Sequence, residues 1–150
     1  MKDENVISKF QIRDWRVAGF DCTNTVLSIP REIDHHWKIN AHIDSVEPEG
    51  ELLRAILQIE FHFWAETEGR KIQMNGVAAE LCEMDKSLVQ DAETVFQNLL
   101  SHTAIINCLA NLRVFLFQTA MLLQMGTKPV MLPFINLNNF KFDEDYEFTV

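Results

Sequence analysis

LLRAILQIEFHFW, residues 52–64, decides the architecture. Leu53, Ala55, Leu57, Ile59, Phe61 and Phe63 take every second position, and Arg54, Gln58, Glu60 and His62 lie between them. A period of two is that of a β-strand, whose successive side chains leave opposite faces, so one face lies on a core and the other meets water. Toward the N-terminus, EPEG at 47–50 is a turn, and before it WKINAHID alternates Trp37, Ile39, Ala41 and Ile43 with Lys38, Asn40, His42 and Asp44. Toward the C-terminus, TEG at 67–69 supplies a hairpin turn. RKIQMNGVAAELCE, 70–83, then reads as a further strand, weakened by Gly76. SKFQIRDWRVAGFD, 8–21, is rich in β-branched and aromatic residues without a helical stripe. Its inward face changes phase, which predicts a strand with a bulge near Gly19, followed by a loop running on to Pro30. Four strands in succession predict an antiparallel meander.

After Asp85 the period changes. Ser87 and Gln90 have capping-box spacing, and Leu88, Ala92, Val95, Phe96, Leu99 and Leu100 make one apolar helical face. A second, longer helix is expected from about Thr103 to Met125, with Arg113 as its single charge. Thr103, Asn107, Asn111 and Gln118 fall on one narrow strip of it, and most of the remaining circumference is apolar. About 20 apolar residues suffice for a bilayer span. Arg113 at mid-helix argues against one, at about 2.5–3.5 kcal/mol on the insertion scale, as do two asparagines and two glutamines. The helix is instead expected to lie on the sheet with its far side against another subunit, since a four-stranded sheet covers only one flank. Ile105, Ile106, Leu109, Val114 and Leu116 divide between those two contacts.

A chain of 150 residues, 47% hydrophobic, suits a single domain, here a core of about 8–140 with a short acidic tail, 141–150. The net charge of −9 repels phosphate backbones and anionic lipid, which argues against nucleic-acid and membrane partners. Cys22, Cys82 and Cys108 show no CxxC spacing and read as reduced, buried thiols. MKDENVISKF has no apolar stretch of the signal-peptide kind, so a cytoplasmic address is expected.

Catalytic and metal chemistry finds little support. His42 and His62 share the wet face of neighbouring strands with Glu60 nearby, yet no local spacing enforces a zinc site. His35 and His36 beside Asp34 point to opposite faces. Cys82, flanked by Glu80 and Glu83, should have a raised rather than a nucleophilic pKa. With no glycine-rich phosphate loop either, neither an enzyme nor a cofactor or metal is expected. The rival from another class is a helix-grip pocket protein or enzyme, with Trp37, Phe61 and Phe63 lining a ligand cavity.

The segment after the long helix, GTKPVMLPFINLNNF at 126–140, is barred from regular helix by Pro129 and Pro133, and it is too apolar for an ordinary linker. An N-x-R element, Asn111-Leu112-Arg113, precedes a G-x-x-P-x-x-L-P-x-x-N-L run formed by Gly126, Pro129, Leu132, Pro133, Asn136 and Leu137. Together with FQI at 10–12 and Trp37 opening the second strand, this pattern resembles the SecB family of export chaperones over about residues 8–140. The resemblance implies an α+β subunit with a four-stranded antiparallel sheet against a short and a long helix. It further implies a homotetramer, a dimer of dimers whose long helices meet. It also implies an ATP-independent holdase that keeps unfolded polypeptide clients in apolar grooves. On that basis Trp37, Phe117, Met121, Met131, Phe134, Leu137 and Phe140 are the client-binding candidates. Six methionines and eleven phenylalanines against one tyrosine suit a surface that must adapt to many sequences. Family members that deliver to the SecA-type export motor carry acidic residues on the outer sheet face. Asp21 matches one such position, while Ala18 and Asn75 stand at the others, which leaves room for a SecB-like chaperone dedicated to a toxin–antitoxin pair.

Overall fold

Alternating burial over 52–67 matches the sequence period and makes this strand the centre of the sheet. The computed structural model describes residues 9–27, 32–122 and 130–150. Five antiparallel strands are present: β1 (Gln11–Asn24), β2 (His36–Glu49), β3 (Leu52–Thr67), β4 (Arg70–Asp85) and β5 (Tyr146–Thr149), in the order β1-β4-β3-β2-β5. Two expectations are corrected here. Only β2, β3 and β4 form a meander, because the chain after β1 crosses over and leaves β1 paired to β4 at the far edge. The sheet has five strands rather than four, because the acidic tail returns to the β2 edge and pairs Trp37 with Phe148 and Ile39 with Tyr146.

The bulge expected near Gly19 is present. The β1–β4 register slips between Ala18 and Asp21, with Gly19 at φ 57°, a left-handed conformation that costs glycine little. The slip turns Phe20 inward, where it meets Phe61 and Phe115. Gly76 has a steric reason to lack a side chain: a Cβ there would sit 2.9 Å from Phe61 Cζ and 3.3 Å from the Ala18 carbonyl oxygen. Gly76→Ala is therefore expected to destabilise by about 1–2 kcal/mol in urea denaturation, as overpacking does.

The helical region begins later than its sequence suggests. No Ser87–Gln90 capping box forms. Instead Asp85 accepts from the Ser87 amide (2.9 Å) and hydroxyl (2.7 Å), capping a single 3₁₀ turn, Lys86–Leu88. Asp91, at φ 56°, then redirects the chain into α1 (Ala92–Leu99). The side chain of Leu88 lies outside the described residues. α1 passes through one π turn (Leu100–Ala104) into α2 (Ile105–Leu122), so the two expected helices form one helical run. The extra residue of a π turn rotates everything after it by about 100°. It brings Ile105, Cys108, Leu112, Leu116 and Ala120 onto the sheet. Phe115 packs edge-on against Trp15 and Phe20 of β1. Trp37, Ile39, Leu57, Ile59, Phe63 and Met74 supply the sheet side of the core, and Val130 and Leu132 add to it from beyond the helix. The helix end expected at Met125, with Gly126 and Pro129, falls outside the described residues.

Candidate peptide-binding surface

α2 is apolar on both sides but buried on one. Its inward row is Ile105, Cys108, Leu112 and Leu116, none of them accessible to solvent. The opposite side carries Ile106 at 57% exposure, Val114 at 54% and Met121 at 64%. Of the helical residues expected to divide between sheet and subunit, Ile105 and Leu116 thus face the sheet, Ile106 and Val114 face away, and Leu109 is half-buried. Among the described residues Ala92–Leu122 is long and apolar enough to cross a membrane, and five residues of α2, Ile105, Cys108, Leu112, Leu116 and Ala120, are buried.

Arg113 fixes the segment beyond the helix. Its Nε donates to the Leu132 carbonyl oxygen at 2.6 Å, and its guanidinium lies 3.6 Å from the centroid of the Phe134 ring. Arg113, Phe117 and Met121, spaced by four, share one side of α2. The arginine therefore anchors the chain beside the row that ends in Met121. Val130 and Leu132 point into the core while Met131 (50% exposed) and Phe134 (91% exposed) point out, the alternation of extended backbone. Arg113→Ala leaves the Leu132 carbonyl without its charged donor and is expected to cost about 2 kcal/mol in urea denaturation. Amide exchange should quicken over 130–135.

The seven client-binding candidates thus separate. Met121, Met131 and Phe134 are exposed, and Phe117 and Leu137 are half-buried. Trp37 and Phe140 are instead buried: Trp37 packs against Phe63 and under Phe148, and Phe140 contacts Phe142 and Tyr146. The sequence treated Trp37 as open because the strand that covers it looked like a tail. Leu122, next to Met121 at the end of the described helix, is 84% exposed and was not among the candidates.

Asp21 is exposed on the outer sheet face and accepts from Asn75 Nδ2 at 3.0 Å. Trp37, Phe61 and Phe63, the residues expected to line a helix-grip cavity, are at most 3% exposed. His42 is opposite Gln58 and His62 opposite Lys38, four residues apart along the ladder, or roughly 13 Å. The two histidines therefore make no pair. His42 lies between Asp143 Oδ1 (2.5 Å) and Asp44 Oδ1 (2.6 Å), and these bonds raise its pKa. His62 stacks on Trp64 and its pKa is lowered, first by burial. No cluster of three metal-binding side chains occurs among the described residues. Cys82 and Cys108 are buried, and burial first and Glu80 second push their thiols up, Cys82 to about 12. Cys22, expected to be buried, is exposed because it lies on the edge strand after the bulge.

The chain is similar to known proteins in fold and not in sequence. No family model and no curated protein matches its sequence. Among solved structures, the Mycobacterium tuberculosis Rv1957 SecB-like chaperone, solved in complex with a ChAD peptide from the Rv1956 HigA1 antitoxin, superposes with a TM-score of 0.63 at 13% identity. The match covers 89% of this chain and 96% of that one. The fold is that of a SecB-like chaperone. A protein of unknown function from Streptococcus agalactiae also aligns, with a TM-score of 0.41 and 10% identity over 83% of this chain and 97% of that one. The large apolar side chains that α2 and the segment after it expose are Ile106, Val114, Met121, Leu122, Met131 and Phe134, and the outer sheet face mixes Gln58, Glu60 and His62 with Ile56, Trp64 and Leu81.

Proposed function

We propose that this chain is an ATP-independent SecB-like holdase of the cytoplasm whose clients are unfolded polypeptides. The observation that carries this reading is the outward display of Met121, Met131 and Phe134 beside a segment that Arg113 holds extended. A folded monomer gains nothing from such exposure, whereas an apolar surface with flexible methionines takes up many sequences. Binding is by burial of apolar area, with no bond made or broken. Half of α2 has a different task in this account. Ile106 and Val114, nearer its start, are the contact between sister subunits, toward a tetramer built as a dimer of dimers, and the end of the helix is left to the client.

A dedicated, non-export client is favoured over handover to a SecA-type motor. Ala18 and Asn75 leave the outer face of β1 and β4 with Asp21 as its acidic residue at the positions considered, and the structural neighbour was solved with an antitoxin peptide. The test is suppression of aggregation of a chemically denatured protein on dilution, without nucleotide. Wild type is expected to suppress it at near-stoichiometric ratio. Phe134→Asp should weaken suppression several-fold with an unchanged melting curve, since Phe134 is almost wholly in solvent. Equal activity of wild type and an inert protein would refute the function, and equal activity of wild type and Phe134→Asp would refute this surface.

A further inference from the structure

On the outer face of β2, polar side chains meet those of the C-terminal segment one by one. His36 Nδ1 lies 3.0 Å from Thr149 Oγ1, Lys38 Nζ lies 3.3 Å from Asp145 Oδ2 and 3.9 Å from Glu147 Oε1, and Asn40 Nδ2 donates to Asp145 Oδ1 at 3.0 Å. His42 meets Asp143, where the segment turns onto the sheet edge. Asp143 has φ 62°, a left-handed conformation that a side chain disfavours, and its amide donates to the Ala41 carbonyl at 2.8 Å. β5 itself spans four residues and pairs with β2 alone, so the tie at its start weighs heavily.

Geometry sets the protonation state of His42. Its Nδ1 is 2.5 Å from Asp143 Oδ1, and its Nε2 is 2.6 Å from Asp44 Oδ1. Ionised carboxylates only accept, so both ring nitrogens must donate, and an imidazole does so only as the cation. Loss of the proton weakens the tie in either tautomer. With hydrogen on Nε2, a lone pair faces Asp143; with hydrogen on Nδ1, that bond remains without the positive charge of the ring. Asp44 is held in place on β2 by Gln58, whose Nε2 donates to Oδ2 at 2.7 Å, whereas Asp143 belongs to the short end segment.

The ring sits among carboxylates. Asp44 comes from its own strand, Gln58 and Glu60 border the same hollow from β3, and Asp143 faces it from the tail. Asp145, next along, is engaged by Asn40 and Lys38. The bond to Asp143 first and that to Asp44 second raise the pKa of His42 from its ordinary 6.5. A raised folded-state pKa contributes stability that is full below 6.5 and is lost as pH rises through the folded value.

We propose that His42 is a proton-operated latch for the C-terminal segment: as a cation it binds Asp143 to β2, and on losing its proton it releases residues 143–150 while β1 to β4 stay folded. The latch is independent of what the α2 flank binds.

The test is amide exchange of the full chain from pH 6 to pH 9, with rates corrected for the intrinsic effect of pH. The Asp143 and Val150 amides, which donate to Ala41 and His35, report the segment, and the amides of β3 report the sheet. In wild type, protection of Asp143 and Val150 is expected to fall at least fivefold across this range while β3 stays protected. His42→Gln has no proton to lose and should show low, pH-independent protection of the segment; it shares every other titration, that of Glu80 included. The His42 side chain is 48% exposed, so the sheet has no packing reason to suffer from the change. Titration of the His42 ring by NMR gives a second reading: a midpoint above 6.5 in wild type, moved down by Asp143→Asn. Equal pH profiles of the segment in wild type and His42→Gln, a midpoint that Asp143→Asn leaves unmoved, or loss of β3 protection in step with the segment would overturn the latch and leave the holdase reading standing.

Discussion

Glu80→Gln is expected to change the pH dependence of stability by about 3 kcal/mol between pH 4 and pH 8, against wild type. Glu80 sits on the inward face of β4 with 1% exposure; Oε2 accepts from Asn107 Nδ2 at 3.0 Å, and Oε1 has no hydrogen-bond partner among the described residues. Burial pushes its carboxyl from 4.5 up to about 7, with the Asn107 bond opposing. A folded-state pKa above the unfolded one means that the native protein holds the proton more tightly. Stability is therefore full below pH 4.5 and falls as pH rises through about 7. The rise from 4.5 to about 7 corresponds to roughly 3 kcal/mol. Glutamine stays neutral, so the difference between the two urea-denaturation curves should slope through this window and be flat outside it, whatever constant offset the new amide adds. Groups common to both proteins, His42 among them, cancel in the difference. Parallel curves from pH 4 to 8 would mean that Glu80 is ionised in the fold. The pair is a tie between β4 and α2 as well: a polar contact in an otherwise apolar layer favours the helix register that satisfies it.

If the proposed tetramer forms, Ile106→Asp with Val114→Asp is expected to yield single 17.4 kDa chains and to lower association affinity more than a hundredfold. Both side chains are more than half exposed in the subunit, so the fold itself has no reason to suffer. In an interface each carboxylate would be buried without a partner, at a cost of several kcal/mol. Sedimentation at micromolar concentration checks this. A wild type that is already monomeric, or a variant that remains assembled, contradicts the assignment of this helix face to subunit contact.

How far the sequence reveals the molecule depends on how local the signal is. The strands around 52–64 and the Gly19 bulge are written in residue spacing, and each is found where spacing places it. The order of strands is not, because pairing β1 with β4 rather than β2 is decided by how the chain closes the sheet. β5 was hidden by composition: Tyr146 and Phe148 alternate with Asp145 and Glu147, and the acidic residues make the stretch look like solvent-exposed tail. The same cause misplaced Trp37, which faces inward as its strand period demands but lies under Phe148 rather than in an open groove. The exposure of Met131 and Phe134 follows from backbone that Pro133 bars from helix, since extended backbone turns alternate side chains to opposite sides. The partnership of Arg113 with Leu132 and Phe134 links positions about twenty residues apart and required coordinates. So did the link between Glu80 and Asn107.

The central claim is that this chain holds unfolded polypeptide on an exposed apolar flank, and equilibrium titration tests it most directly. Fluorescently labelled carboxymethylated lactalbumin and its native, disulfide-bonded form would each be titrated with wild-type protein in the absence of nucleotide, and anisotropy recorded. The account predicts saturable binding of the unfolded form at micromolar or lower concentration and at least tenfold weaker binding of the native form. Equal binding of both forms, or of neither, would contradict it.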